Sequence, residues 1–152
     1  MAPTLAVGNR APDFTLPSTE GAISLSERLK TQAVLLVFYP GDDTPVCTKQ
    51  LCDYRDHLSQ FGDLGVDVLA LNPQSLESHE RFAKKHGLSF PLLSDADRSV
   101  CRDYDAVGLL GMTKRALVLI GKDGAIRWRR SDLPIFRRTA EQLREVISEL
   151  EL

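Results

Sequence analysis

Runs of apolar, mostly branched residues predict the strands of a central sheet. Three of these runs, residues 33–39, 66–71 and 116–120, carry almost no polar side chains. Such runs are typical of strands that are buried on both faces. Residues 125–129 instead alternate apolar and polar side chains, which predicts a strand with one face in solvent. The turn formers between the last two runs predict that these two strands form a hairpin.

Segments whose apolar residues repeat at helical spacing lie between and after these strands. The first follows Cys47 and extends to Phe61, and the second runs from a Ser75 cap to His86. A short helix is predicted over residues 95–104, and a last one after a Thr139 cap. Strands that are separated by helices pair in parallel, whereas the final hairpin adds antiparallel strands.

Shorter elements complete the predicted fold. Residues 10–17 and 22–25 predict a small hairpin, after which Ser26 caps a brief helix. Residues 90–93 contain a proline and predict at best an edge strand. The resulting order is that of an α/β, thioredoxin-like fold: a central mixed β-sheet flanked by helices, with an N-terminal β-hairpin extension. No linker or repeat divides the chain, so we predict a single domain over residues 1–152.

Composition narrows the possible partners and the compartment. The chain has 152 residues, of which 43% are hydrophobic and 26% are charged, as in soluble globular proteins. Its formal net charge of −2 argues against nucleic acid or an anionic membrane as a partner. No apolar run approaches the ~20 residues of a membrane span. Residues 1–10 lack the pattern of a secretory signal, so we expect a cytoplasmic protein whose three cysteines are reactive or core thiols.

Candidate chemistry lies where the first strong strand meets its helix. The turn formers at residues 40–45 break the apolar run, and Cys47 follows at the start of the helix. Unpaired backbone N–H groups and the positive end of the helix dipole favour a thiolate over a thiol at this position. We therefore interpret Cys47 as a nucleophile. The alternative is a small residue that merely caps the helix.

The residues around Cys47 carry a resemblance to a known family. The segment Pro40-Gly41-Asp42-Asp43-Thr44-Pro45-Val46-Cys47 resembles the peroxiredoxin motif, in which proline, threonine or serine, and cysteine recur at this spacing. Cys52 resembles the resolving cysteine of the bacterioferritin comigratory protein (PrxQ) branch of that family. The likeness extends from residues 9–14 to the last helix. Val46 and Asn72 depart from the pattern, since glycine and serine are common there, and substrate preference is the property that these departures affect.

The resemblance implies a thiol-dependent peroxidase that reduces hydrogen peroxide and organic hydroperoxides in antioxidant defence. It implies that Cys47 forms a sulfenic acid and then a disulfide with Cys52, which thioredoxin or a similar dithiol reductant reduces. It also implies that the Thr44 hydroxyl, the Cys47 N–H and the Arg115 guanidinium meet the charge on the leaving oxygen, while Pro40 shields the thiolate from water. The branch is often monomeric, so we expect a monomer.

The spacing of the two cysteines constrains this disulfide. Cα atoms five residues apart on a helix are separated by ~8.6 Å, whereas a disulfide requires them within ~7 Å. The first turns of the helix must therefore unwind before Cys47 can bond to Cys52. Cys101 lies beside apolar residues, and we expect it to be a buried, unreactive thiol rather than an alternative partner.

Other interpretations of the same residues stay open at this stage. Thr44 and Pro40 are also ordinary turn residues, and Arg115 is also able to pair with a surface acid. We expect no cofactor and no metal, because no phosphate loop or dinucleotide fingerprint occurs and no zinc spacing links the cysteines to His57. His79 and His86 are expected to be exposed on a helix. The rival functions are a protein disulfide reductase and a non-catalytic adaptor of the thioredoxin fold.

Overall fold

The elements of the fold are those of a computed structural model that describes residues 5–132 and 138–150. Residues 1–4, part of the segment searched for a secretory signal, lie outside the described residues. The described strands are β1 (Thr15–Leu16), β2 (Ile23–Ser24), β3 (Ala33–Phe38), β4 (Val66–Asn72), β5 (Leu92–Ser94), β6 (Arg115–Ile120) and β7 (Ile126–Asp132). The described helices are α1 (Leu25–Leu29), α2 (Pro45–Asp56), α3 (Leu58–Asp63), α4 (Leu76–His86), α5 (Ser99–Asp103) and α6 (Ala140–Leu150).

A five-stranded mixed sheet forms the centre of the molecule, in the order β5-β4-β3-β6-β7. Strand β3 pairs in parallel with β4 and antiparallel with β6, so that Leu36 lies between Leu69 and Val118. Strand β5 pairs in parallel with β4 at one edge, and β7 pairs antiparallel with β6 at the other. Strands β1 and β2 form a separate antiparallel hairpin. The predicted thioredoxin-like fold, with its mixed sheet and its N-terminal hairpin, is confirmed.

The sheet divides the core into two hydrophobic clusters, because successive residues of a strand point to opposite faces. The first cluster includes side chains from one face of β3 and from α1 and α5: Val34, Leu36, Phe38, Leu25, Leu29, Val100, Cys101 and Tyr104. The second cluster includes side chains from the other face of β3 and from α2, α4 and α6: Leu35, Val37, Cys47, Leu51, Phe82, Leu143 and Ile147. The two thiols Cys47 and Cys101 therefore lie on opposite sides of the sheet.

The prediction of a single helix from Cys47 to Phe61 is wrong in two respects: the helix begins earlier, and it is broken into two helices. Helix α2 begins at Pro45, before the cysteine, because the fixed φ angle of proline suits the first helical position. It ends at Asp56, and α3 follows as a separate helix. At the break, the His57 ring contacts the Asp53 carbonyl at 2.8 Å. The backbone N–H of His57 donates to the Tyr54 carbonyl at 3.2 Å instead of to the Asp53 carbonyl.

Smaller differences have similar local causes. Ser24, rather than Ser26, caps α1 by accepting a hydrogen bond from the Glu27 N–H. Helix α5 is shorter than the predicted 95–104, because Arg98 adopts a left-handed φ of 62° just before it. Strand β7 extends to Asp132, beyond the predicted end at residue 129. Within the described residues, no helix combines the length and the apolar character that crossing a membrane requires.

Replacing Leu36 by alanine tests the assignment of β3 as the central strand. Leu36 is fully buried, so the Leu36→Ala variant should lose about 3 kcal/mol of the free energy of unfolding through lost burial and a residual cavity. Urea denaturation with linear extrapolation measures the loss. The control is Val7→Ala, whose side chain is 61% exposed and whose loss should stay within about 0.5 kcal/mol. Equal losses in the two variants would contradict the assignment.

Candidate active site

Cys47 lies in the first turn of α2, directly after the loop that leaves β3. Thr44 is the residue before the helix, and Pro45 occupies its first position. The first hydrogen bond within the helix joins the Thr48 N–H to the Thr44 carbonyl at 2.8 Å. The N–H groups of Val46 and Cys47 precede that bond, so they have no carbonyl partner within the helix. The Cys47 sulfur therefore lies at the positive end of the helix dipole.

Arg115 is the cation of the site. It is the first residue of β6, and only 2% of its surface is exposed. One guanidinium nitrogen donates to the Cys47 sulfur at 3.1 Å, and a second donates to the side-chain amide oxygen of Gln50. Cys47 is fully buried. Because a guanidinium keeps its charge, this contact stabilises a thiolate more than a thiol. Arg115 therefore lies in the interior against Cys47 rather than on the surface.

A chain of buried hydrogen bonds leads from Arg115 along α2. Gln50 donates from its amide nitrogen to the Tyr54 hydroxyl at 3.0 Å, and Tyr54 donates to the Arg138 carbonyl at 2.7 Å. Both Gln50 and Tyr54 are fully buried. The position of the guanidinium thus depends on α2 being intact. Sequence reasoning missed Gln50, although a polar residue at helical spacing from Cys47 and Tyr54 was the signal that marked it.

Thr44 and Pro40 lie in the loop that precedes Cys47. The Thr44 side chain is not bonded to the N–H groups of α2, and its hydroxyl donates to the Gly41 carbonyl at 3.1 Å. Thr44 is exposed, and Pro40 is half-buried. The structure therefore brings Arg115 against Cys47. Thr44 and Pro40 lie on the loop before Cys47, and the Thr44 hydroxyl is hydrogen-bonded within that loop.

Cys52 lies on the same uninterrupted helix as Cys47, and both thiols are free. It is half-buried and lines a surface depression of about 480 Å³ that charged side chains border. One residue further along, the Asp53 carboxylate accepts the Ala140 N–H at 2.7 Å, which attaches this part of α2 to the start of α6. The cysteines are thus held apart by the helix, as their spacing predicts.

Cys101 is buried in the first cluster, as expected of a core thiol. Burial raises the pKa of Cys101 well above its ordinary value, and the hydrogen bond and charge of Asp95 raise it further. The Asp95 carboxylate also accepts the Cys101 N–H at 2.7 Å. A thiol with a strongly raised pKa is a poor nucleophile because little of it is thiolate.

The expectation that His79 is exposed is wrong. His79 is fully buried, because its ring nitrogens contact the Asp42 carboxylate at 2.7 Å and the Leu93 carbonyl at 3.0 Å. His86 is half-buried, since its ring packs edge-on against Phe82 with centroids 5.2 Å apart. The two partners of His79 could not be predicted from the sequence, because Asp42 and Leu93 lie 37 and 14 residues away along the chain.

The arrangement supports thiolate chemistry at one sulfur. A buried sulfur has a permanent cation at 3.1 Å and two free backbone donors at its helix terminus, which together favour negative charge on sulfur or on an adjacent oxygen. Across residues 5–132 and 138–150, histidine, cysteine and acidic side chains form no group of three or more that would hold a metal ion.

Comparisons with known proteins agree with this chemistry. The sequence matches the AhpC/TSA family over residues 7–129. It is 46% identical over 101 residues to a Coxiella burnetii protein named peroxiredoxin bcp, covering 66% of this chain and 67% of that one. It is 33% identical over 137 residues to peroxiredoxin Bcp of Bacillus subtilis, covering 84% and 87% of the two chains. The fold matches the Xanthomonas campestris bacterioferritin comigratory protein with a TM-score of 0.78, at 25% identity, over 91% of this chain and 90% of that one.

Replacing Arg115 by glutamine should slow the alkylation of Cys47 by iodoacetamide by about tenfold. The reason is that the guanidinium, 3.1 Å from the sulfur, stabilises negative charge on the attacking atom, and glutamine carries no charge. Peptide mapping of the alkylated protein over time measures the rate at Cys47. Arg129→Gln removes an exposed arginine from β7 and should leave the rate unchanged. An equal rate in Arg115→Gln and wild type would refute the assigned role of the guanidinium.

Proposed function

Because the chain belongs to the AhpC/TSA family, as a peroxiredoxin of the PrxQ type, it reduces peroxides with a thiol, and we propose that this thiol is that of Cys47. The observation that best supports the proposal is the 3.1 Å contact between the Arg115 guanidinium and the Cys47 sulfur. The thiolate is the form of cysteine that attacks oxygen. A buried cation and a helix terminus at the same sulfur favour that form.

The first step is an attack of the Cys47 thiolate on the terminal oxygen of a hydroperoxide. An S–O bond forms, the O–O bond breaks, and the second oxygen leaves as hydroxide or alkoxide, which takes a proton from water. Sulfur is oxidised to a sulfenic acid, and the peroxide is reduced to water or an alcohol. Arg115 and the Cys47 N–H meet the charge that develops on the leaving oxygen, and the Thr44 hydroxyl joins them by turning away from the Gly41 carbonyl. Pro40, which lacks an N–H, keeps water from the sulfur.

The second step joins Cys47 to Cys52. The Cys52 sulfur attacks the sulfenic sulfur, a disulfide forms, and water leaves. This step requires the first turns of α2 to unwind, which also separates Gln50 from Arg115. Thioredoxin or a similar dithiol then supplies two electrons and restores both thiols. The Xanthomonas campestris protein has an alkyl peroxide reduction activity, which supports organic hydroperoxides as substrates alongside hydrogen peroxide.

We further propose that the chain acts as a single domain, as a monomer, in the cytoplasm, where it serves antioxidant defence and redox homeostasis. A single five-stranded sheet takes its strands from residues 33 to 132, and the Bacillus subtilis relative matches over most of both chains. Among the described large hydrophobic side chains, only Val7, Leu110 and Met112 are exposed, which favours a monomer. The net charge of −2 argues against nucleic acid as a partner.

A coupled assay tests the role of Cys47. Peroxide consumption with thioredoxin, thioredoxin reductase and NADPH should fall by at least about a thousandfold in Cys47→Ser, since the nucleophile is lost. Cys101→Ala should retain activity within about twofold, because that thiol lies across the sheet. Equal rates in wild type and Cys47→Ser would contradict the proposal. If wild type reduces protein disulfides but not peroxide, the protein is a disulfide reductase. If it reduces neither, the protein is a non-catalytic adaptor.

Peptide mapping tests the role of Cys52. After one equivalent of peroxide, wild type should contain a Cys47–Cys52 disulfide, because the sulfenic acid condenses with the nearest thiol that an unwound α2 presents. Cys52→Ser should complete one turnover, accumulate sulfenic acid at Cys47 and fail to be recycled by thioredoxin. A stable, unlinked sulfenic acid in wild type, or Cys101 in the linked peptide, would refute the pairing.

A further inference from the structure

A buried pair of side chains joins the loop before Cys47 to a helix that contributes nothing to the chemistry described above. Asp42 lies in the loop at residues 40–44, and His79 lies on α4. The His79 ring and the Asp42 carboxylate are 2.7 Å apart, with 0% and 4% of the two side chains exposed. The Asp42 carboxylate also accepts hydrogen bonds from the Tyr39 hydroxyl at 2.6 Å and the Ser78 hydroxyl at 2.7 Å.

The hydrogen bonds of this pair keep a carboxylate buried. Burial alone would raise the pKa of Asp42, but the hydrogen bonds from His79, Tyr39 and Ser78 outweigh it and hold the pKa below its ordinary value. The Asp42 carboxylate is therefore ionised and only accepts hydrogen bonds. On the other side of the ring, the second nitrogen of His79 contacts the Leu93 carbonyl at 3.0 Å. The ring thus joins the buried carboxylate of the loop to the backbone of β5.

The loop backbone is attached to the same region. The Asp42 N–H donates to the Gln74 side-chain oxygen at 2.5 Å, and the Gln74 N–H donates to the side chain of the buried Asn72 at 2.8 Å. The Ser94 hydroxyl donates to the Gln74 carbonyl at 2.7 Å. The loop is thus attached to α4 and to the ends of β4 and β5, which are all elements other than α2.

We propose that Asp42 and His79 are positioning residues that hold the loop at residues 40–44 on α4 while the first turns of α2 unwind and reform. The proposal rests on the proposed roles of Cys47 and Cys52, which require α2 to unwind in every cycle. The pair keeps Thr44 and its neighbours in place for the next attack on peroxide. It touches neither sulfur nor substrate and acts through the loop.

The chain contains a natural comparison for this pair. Asp43, the next residue, contacts Lys85 at 3.0 Å and so joins the same loop to the same helix, but the two side chains are 53% and 61% exposed. Exposed ion pairs contribute little to stability. Removing one member of a buried pair leaves an uncompensated charge, which is strongly unfavourable. The buried pair should therefore position the loop, and the exposed pair should not.

Single-turnover kinetics of His79→Gln test the proposal. Sulfenic acid formation at Cys47, trapped with dimedone, should slow by about tenfold, since small displacements of a positioned site cost one to two orders of magnitude. Disulfide formation with Cys52, measured by peptide mapping, should not slow. A loop that is no longer held on α4 does not oppose the unwinding of α2 more than a loop that is held there. The matched control, Lys85→Gln, should leave both steps within about twofold.

Two results would overturn the proposal: an unchanged rate of sulfenic acid formation in His79→Gln, or an equal slowing of both steps, which indicates general damage. If His79→Gln does not fold, Asp42→Asn replaces it, since asparagine preserves the side-chain shape and removes the charge. In this variant too, sulfenic acid formation should slow and disulfide formation should not. Failure of the proposed function is distinct, because wild type itself would then form no sulfenic acid beyond the level of Cys47→Ser.

Discussion

The contact between the Arg115 guanidinium and the Cys47 sulfur is the interaction on which the site depends. A cation with 2% exposure is stable in a protein interior only if an anion or several acceptors meet it, and here the thiolate and Gln50 do so. The contact exists because β3 and β6 pair with Phe38 opposite Ala116, so that α2 leaves the sheet directly beside the start of β6. A slip of one residue in this register would turn Arg115 to the opposite face of the sheet.

Helix α2 combines two requirements that conflict. It must be folded to place Gln50 against the guanidinium, and it must unfold in part if Cys52 is to reach Cys47. Both requirements fall on the same first turns of α2, and the rest of the helix is held in place by other contacts. Beyond Cys52, Asp53 and Tyr54 attach α2 to residues at the start of α6. The break at His57 then separates α2 from α3, so unwinding of the first turns need not spread further.

Sequence alone predicted the architecture well, because continuous apolar runs have few alternatives to buried strands. It singled out Cys47 from its place between strand and helix and Arg115 from the family resemblance, and the structure brings these two side chains into contact. It missed the break at His57, which arises from competition between a side chain and the backbone for one carbonyl. It also missed the buried Gln50 and His79, whose partners lie 65 and 37 residues away in the chain. A polar side chain is buried only when such partners exist, and the sequence does not show which distant residues they are.

The central sheet also acts as a partition between thiols. Three free cysteines permit three different disulfide isomers, and a chain that is oxidised repeatedly risks being trapped in an unproductive one. Cys101 lies in the cluster on one side of the sheet, and Cys47 lies in the cluster on the other. Two of the three isomers require Cys101, and both would join a thiol of α2 to one on the other side of the sheet. If Cys47 and Cys52 pair as proposed, the sheet itself keeps Cys101 away from both of them.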